Sequence, residues 1–306
     1  MGAMQKVMQK LQATTGAAGA ENPAAAAPNA AETSPETRSP GPASSGAAGG
    51  AGFVPDPLPG AAPAGGAAKA PPAAWNLNRI DRALVAFHDR YGAVAEQYRS
   101  LRARLLNMNP QGKRQVIAIT SSLPQEGKSV TTINLAAVMA EGHEHQVLIL
   151  DGDLRRASLA RMLALDPEPG LADLIRGEAD WAAVVRPTPL PNLKVITAGS
   201  VADKNYGRLV SSSALRSILG RLREQFDYAF MDTPPVNTVS DVSMLAPHCD
   251  GAILVIEMCR TPEPSVLEAV RTLQTTNVKL LGCVLSRFED QRGHYYERYY
   301  SYYNSE

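Results

Sequence analysis

Six short runs of the chain are apolar at nearly every position: 115–120 (QVIAIT), 146–151 (QVLILD), 193–198 (LKVITA), 227–232 (DYAFMD), 251–257 (GAILVIE) and 279–285 (KLLGCVL). Segments between them, such as 129–142, 213–226 and 262–276, carry their apolar residues at helical spacing. Strands apolar on both faces, alternating with helices, predict a mostly parallel sheet covered on both sides, a doubly wound α/β domain. Ligands in that architecture sit at the carboxyl ends of the strands. Ahead of the first strand, 78–108 has helical periodicity and good helix formers, interrupted once by Gly92, and predicts one or two helices.

Composition divides the chain. Residues 1–74 are dominated by Ala, Gly, Pro, Ser and Thr with almost nothing large to bury, so the gain from burial cannot offset the ordering entropy and a disordered extension is expected. At its start Met4, Val7, Met8 and Leu11 are spaced for a short amphipathic docking helix, or for a frayed helix without a role. Residues 75–290 form the expected domain, and 291–306 a flexible tail. Thirty basic and thirty acidic residues cancel, which removes the global field expected of a nucleic-acid binder. The three cysteines, Cys249, Cys259 and Cys283, lack zinc spacing and are expected as buried, reduced thiols of a cytoplasmic protein. No apolar run approaches the ~20 residues that cross a bilayer, and no signal-peptide core opens the sequence.

The chemistry lies where the strands end. The first runs into SSLPQEGKSV, in which Gly127, Lys128 and Ser129 open a helix directly after a buried strand. In the loop that opens at Pro124, backbone N–H groups from Gln125, Glu126, Gly127 and onward to Val130 would cradle phosphates, Lys128 would reach the β and γ phosphates, and Ser129 would ligate Mg²⁺. Ser122 stands where the first glycine of such a loop is usual. The second strand ends in Asp151 and Asp153, and the fourth in Asp232 followed by Thr233, Pro234 and Pro235. Each acid alone could be a loop acid or a helix cap; together, beside a phosphate loop, they read as a metal–phosphate site with Ser129, Asp151 and Asp232 toward Mg²⁺.

The set SSLPQEGKS, LILDGDLRR and AFMDTPP, with six tyrosines at 295, 296, 299, 300, 302 and 303, resembles the bacterial tyrosine kinases, autophosphorylating enzymes of capsule and exopolysaccharide synthesis. The resemblance runs from about Val94 to the end. It implies a phosphate-loop NTPase fold, ATP and Mg²⁺ as cofactors, catalytic roles for Lys128, Asp151, Asp153 and Arg155 (D-x-D-x-R), and a base contact near Arg287. It also implies that Glu96, Arg99 and Arg102 (E-x-x-R-x-x-R) build a subunit ring. Autophosphorylation would fall on Tyr295, Tyr296, Tyr299, Tyr300, Tyr302 and Tyr303, and a membrane-bound polysaccharide co-polymerase in a separate chain would recruit the protein to the inner face of the cell membrane. Two departures stand out: the family's P-N-P-like turn after the third strand is AGSVADKNYGRLV here, and its Asn-Arg pair after the last strand is Ser286-Arg287. Two other classes compete. A partitioning or cell-division ATPase would resemble K-G-G-x-G-K-T, yet Leu123 holds the position of its extra lysine; a non-catalytic ATP-binding adaptor would have little use for the intact lysine and acids.

Overall fold

The computed structural model describes residues 75–200 and 205–287; the expected N-terminal extension and the tyrosine tail lie outside these described residues. A single 3-10 turn, Leu77–Arg79, leads to α1 (Val85–His88) and α2 (Ala93–Met108). Gly92, the break in the helical pattern, is the N-cap of α2 with extended backbone. Then follow β1 (Gln115–Ser121), α3 (Lys128–Ala140), β2 (Val147–Asp151), α4 (Ser158–Met162), α5 (Leu171–Arg176), α6 (Trp181–Val184), β3 (Arg186–Pro187) and β4 (Leu193–Ile196). Past residue 204 come α7 (Tyr206–Val210), α8 (Ser213–Gln225), β5 (Tyr228–Asp232), α9 (Asp241–Leu245), β6 (Gly251–Glu257), α10 (Glu263–Thr275) and β7 (Leu280–Ser286).

The strands form one seven-stranded sheet in the order β3-β4-β2-β5-β1-β6-β7. Only β3 runs antiparallel to its neighbour. All six expected strands form, and the doubly wound architecture with them. The additional strand β3 is two residues long and ends in Pro187 at the sheet edge, where a missing N–H costs no ladder bond; so short a run leaves no period to read.

Side chains of alternate residues leave a strand on opposite faces, and the apolar runs fill two separate cores. On one side Val116, Ala118, Leu148, Leu150, Ala229, Met231 and Leu254 pack with α8 and α10. On the other, Ile117, Ile119, Val147, Ile149, Phe230 and Val255 pack with α3 and the N-terminal helices. Helix α3 is buried along almost its whole length. Its Asn134 closes the outer side, accepting from the Ala86 N–H at 3.0 Å and donating to the Ala83 carbonyl at 3.0 Å. The N-terminal segment therefore fastens to the phosphate-loop helix by polar as well as apolar contacts.

Among the described residues no helix is long and apolar enough to cross a membrane. The cysteines depart from expectation in part. Burial pushes the Cys249 thiol up to about 12 and that of half-buried Cys283 to about 11, but Cys259 is exposed, because it falls in the turn after β6 at a positive φ of 61°.

Candidate active site

Three strand ends and one helix start meet at a single point. β2 and β5 are neighbours, and their register pairs Asp151 directly with Asp232. The backbones come so close there that the Gly152 N–H donates to the Asp232 carbonyl at 2.8 Å, and a Cβ at Gly152 would lie 2.9 Å from that oxygen. Gly152 is thus needed for close approach. β1 lies on the other side of β5, and its end is tied to the proline loop: the Thr120 hydroxyl donates to the Pro234 carbonyl at 2.8 Å, and the Val236 N–H to the Ser121 carbonyl at 2.8 Å.

From β1 the chain turns through the phosphate loop into α3. Gln125 and Gly127 both adopt left-handed backbone, with φ of 69° and 91°. Left-handed residues in a tight turn converge N–H groups on one point, the geometry of an anion nest at a helix start. Lys128 then folds back over the strand ends. Its Nζ donates to Asp153 Oδ2 at 2.9 Å and approaches the Asp232 carboxylate at 3.3 and 3.4 Å. The Ser129 hydroxyl donates to Asp232 Oδ2 at 2.5 Å and itself accepts from the Ser158 hydroxyl at 2.9 Å. Asp151 accepts the Leu159 N–H at one oxygen, 3.1 Å away, whereas its buried Oδ1 has no hydrogen-bond partner.

Electrostatics follow from this crowding. Burial, reinforced by Asp232, holds the Asp151 carboxyl well above the ordinary carboxylate range. Asp232 is also raised by burial, against the opposing pull of Lys128. Burial would lower Lys128, but Asp232 and Asp153 outweigh it and the ammonium is held above its ordinary value. Taking one positive charge with three acids, the site carries excess negative charge with a buried carboxylate oxygen left unsatisfied. That is a place for a cation. The donors are all oxygen, from Asp151, Asp232 and Ser129, which suits Mg²⁺. Among the described residues no group of three or more His, Cys, Asp or Glu side chains forms a metal cage, so phosphate oxygens would have to complete the coordination, as is usual for Mg²⁺.

This geometry has relatives. A model of the ParA family, described as NUBPL iron-transfer P-loop NTPase, matches residues 112–297. The tyrosine-protein kinase CpsD of Streptococcus pneumoniae serotype 4 is 32% identical over 64% of this chain and 85% of its own length. The chain belongs to the ParA-type P-loop NTPases, and among them to the bacterial tyrosine kinases. The succinoglycan biosynthesis transport protein ExoP of Rhizobium meliloti is 31% identical over 63% of this chain, which spans only 25% of that longer relative. The solved structure of the chimerical protein CapA2B2 superposes with a TM-score of 0.64 at 27% identity, covering 69% of this chain and 93% of its own.

Against the tyrosine-kinase pattern, the remaining residues singled out in the sequence divide. Glu126 is buried within the loop and takes the Leu123 N–H at 2.9 Å and the Thr261 hydroxyl. Pro124 and Gln125 form the loop's outer rim, and Val130 packs in the first turn of α3. Arg155 turns from the lysine–aspartate cluster and makes a two-pronged ion pair with Asp241, at 2.6 and 3.1 Å, with its guanidinium 4.6 Å from the Tyr206 ring centre. Arg287 pairs with Glu257 at 2.8 Å. Arg99 and Arg102 both bind the far end of α3: Arg99 meets Glu141 at 2.8 Å and Arg102 donates to the Val138 carbonyl at 2.7 Å. Glu96 pairs with Arg99 at 3.1 Å and stays 45% exposed.

Three residues at this end of the sheet escaped the sequence: Ser158, Asp241 and Thr261. Ser158 is 29 positions from Ser129, Asp241 is 86 from Arg155 and Thr261 is 135 from Glu126. No local spacing links such pairs. The only signal available was the position of Thr261 shortly after the carboxyl end of an apolar strand.

Proposed function

We propose that the protein is an ATP-dependent protein-tyrosine autokinase that phosphorylates its own C-terminal tyrosine cluster in trans and thereby regulates capsule or exopolysaccharide polymerisation and export. The observation that carries this reading is the convergence of Lys128, Ser129, Asp151, Asp153 and Asp232 at the mouth of the phosphate loop, in a chain whose relatives are named tyrosine-protein kinases. Loop amides and Lys128 bind the β and γ phosphates, which draws the ammonium from Asp153 and Asp232. Ser129, with Asp151 and Asp232 directly or through water, would hold Mg²⁺, which would neutralise charge on the transferred group.

A tyrosine from a neighbouring subunit lies in line with the γ phosphorus. Its oxygen forms the new bond to phosphorus as the bond to the β-phosphate oxygen breaks, and its proton passes to Asp151 or to Asp153. Asp151 is favoured by the resemblance to the bacterial tyrosine kinases, whose D-x-D-x-R motif it opens. Arg155, held by Asp241 on the flank, would steady phosphate charge or position the neighbouring subunit. The ring of subunits, with Glu96, Arg99 and Arg102 at its interface, and recruitment from the cytoplasm to a membrane-bound co-polymerase belong to the same reading.

The test compares wild type with Lys128→Met and Asp151→Asn after incubation with ATP and Mg²⁺, mapping phosphotyrosine and measuring free phosphate in parallel. The kinase reading expects phosphate on the tail of wild type and a loss of at least about a hundredfold in both variants. Phosphate released to water with no phosphotyrosine would instead assign a switching ATPase.

A further inference from the structure

The phosphate loop is held open by contacts from outside itself. Gln125 and Gly127 are left-handed, and Gln125 is not a glycine, so its side chain makes that conformation unfavourable unless contacts hold it. Glu126, between them, is buried to 2% exposure and has every oxygen engaged. One carboxylate oxygen accepts the Leu123 N–H at 2.9 Å, and the other accepts the Thr261 hydroxyl. Its main-chain carbonyl accepts the Ser286 hydroxyl at 2.6 Å.

The directions of these bonds are settled by what each group can donate. The Glu257 N–H donates to Thr261 Oγ1 at 3.2 Å, which leaves the single hydroxyl proton of Thr261 for Glu126. Ser286 also has one proton, and Glu126 O at 2.6 Å is far nearer than Ile256 O at 3.4 Å. Ser286 further lies under Gly127, 3.4 Å from where a Cβ would stand. Thr261 follows β6 and Ser286 ends β7, so two strand ends on the far side of β1 grip one glutamate of the loop.

We propose that Thr261 and Ser286 are positioning residues for nucleotide binding: by fixing Glu126 they preset the left-handed turns on either side of it, so that the loop amides already converge before a phosphate arrives. This rests on the reading that the loop binds nucleotide phosphates, and it adds which side chains outside the loop set its affinity. Preset amides spare the ligand the entropy of ordering them. Both residues act through their bonds to Glu126. Ser286 takes the position at which the family pattern has Asn; its short hydroxyl is spent on the loop.

Calorimetric titration of Mg²⁺–ADP into the full chain tests this, with wild type, Thr261→Val, Thr261→Ser and Ser286→Ala compared. Val matches Thr in shape but leaves one Glu126 oxygen buried and unpaired, so affinity should drop about tenfold. Thr261→Ser keeps the hydroxyl and should return to within about twofold of wild type. Ser286→Ala should weaken binding about five- to tenfold, and it carries the test should Thr261→Val fail to fold. A role in folding alone would lower the melting temperature without ligand and leave the affinity of the folded protein unchanged. Variants that fold and bind within twofold of wild type, or a Thr261→Ser protein as weak as Thr261→Val, would overturn the proposal. Wild type that fails to bind Mg²⁺–ADP would overturn the nucleotide reading with it, whereas unchanged variants beside a binding wild type defeat the positioning role alone.

Discussion

Asp151 shows how much a single buried carboxyl can give up for a site. It has no exposed surface, faces Asp232 across the strand register and leaves one oxygen unbonded. Because burial raises its native pKa above the unfolded value, protonated Asp151 costs little. Its contribution to stability is intact below the ordinary carboxylate pKa of about 4 and is lost as pH rises through the raised native value. Ionised Asp151 therefore burdens the nucleotide-free protein at neutral and alkaline pH. Asp151→Asn keeps the acceptor for the Leu159 N–H and removes the charge, while Lys128 retains Asp153 and Asp232 as partners. The variant should melt a few degrees higher than wild type at about pH 8, with the gap closing toward about pH 4. Differential scanning fluorimetry across pH reads this directly, and an Asn variant less stable than wild type at the upper pH would refute it.

Elements bring these residues together. The ends of β2 and β5 approach closely only because residue 152 lacks a side chain, since its Cβ would meet both the Asp232 carbonyl and Met231 Cγ at 2.9 Å. Gly152→Ala must push the two strand ends apart, which should cost about 1–3 kcal/mol of stability. Urea unfolding gives the stability, and an added loss of Mg²⁺–ADP affinity would show that the strand spacing also tunes the site. A variant as stable as wild type would mean that the ends tolerate the shift. Helix α3 links this end of the molecule to the opposite one. It begins at Lys128 in the phosphate loop and ends where Arg102 donates to the Val138 carbonyl and Arg99 pairs with Glu141. Cations there complement the negative end of the helix dipole. Both arginines of the E-x-x-R-x-x-R pattern thus have partners in their own chain, and Glu96 keeps the greater exposure toward solvent.

At the scale of the molecule, every member of the proposed ATP site lies within residues 121–287 and at the carboxyl ends of the parallel strands. In the sequence the tail comes after that span, beyond Arg287, which Glu257 holds beside the loop-gripping turn. Phosphotyrosine and nucleotide binding should therefore separate. Replacing Tyr295, Tyr296, Tyr299, Tyr300, Tyr302 and Tyr303 by Phe should abolish phosphotyrosine on incubation with ATP and Mg²⁺, measured by mass spectrometry, and leave Mg²⁺–ADP affinity within about twofold of wild type. Phosphotyrosine persisting elsewhere on the chain would remove the tail from its assigned role.

The apolar runs by themselves determined the sheet, because a strand buried on both faces has no polar positions to hide, and the acids at their ends stood out against that background. GKS after a strand determined the phosphate loop through purely local chain geometry. The sequence could not say where each charged side chain spends its bonds. Arg155, to which the resemblance gives a catalytic role, pairs with Asp241, and Arg99 and Arg102, to which it gives a place in a subunit ring, also bind the end of α3 in their own chain. Nor did it connect Glu126 with Thr261 and Ser286, since those partners come from strands that only the sheet order 5-1-6-7 sets beside the loop. Backbone pattern is a local property and survives in the sequence, whereas hydrogen-bond partnership is decided by which distant strand ends the fold makes neighbours.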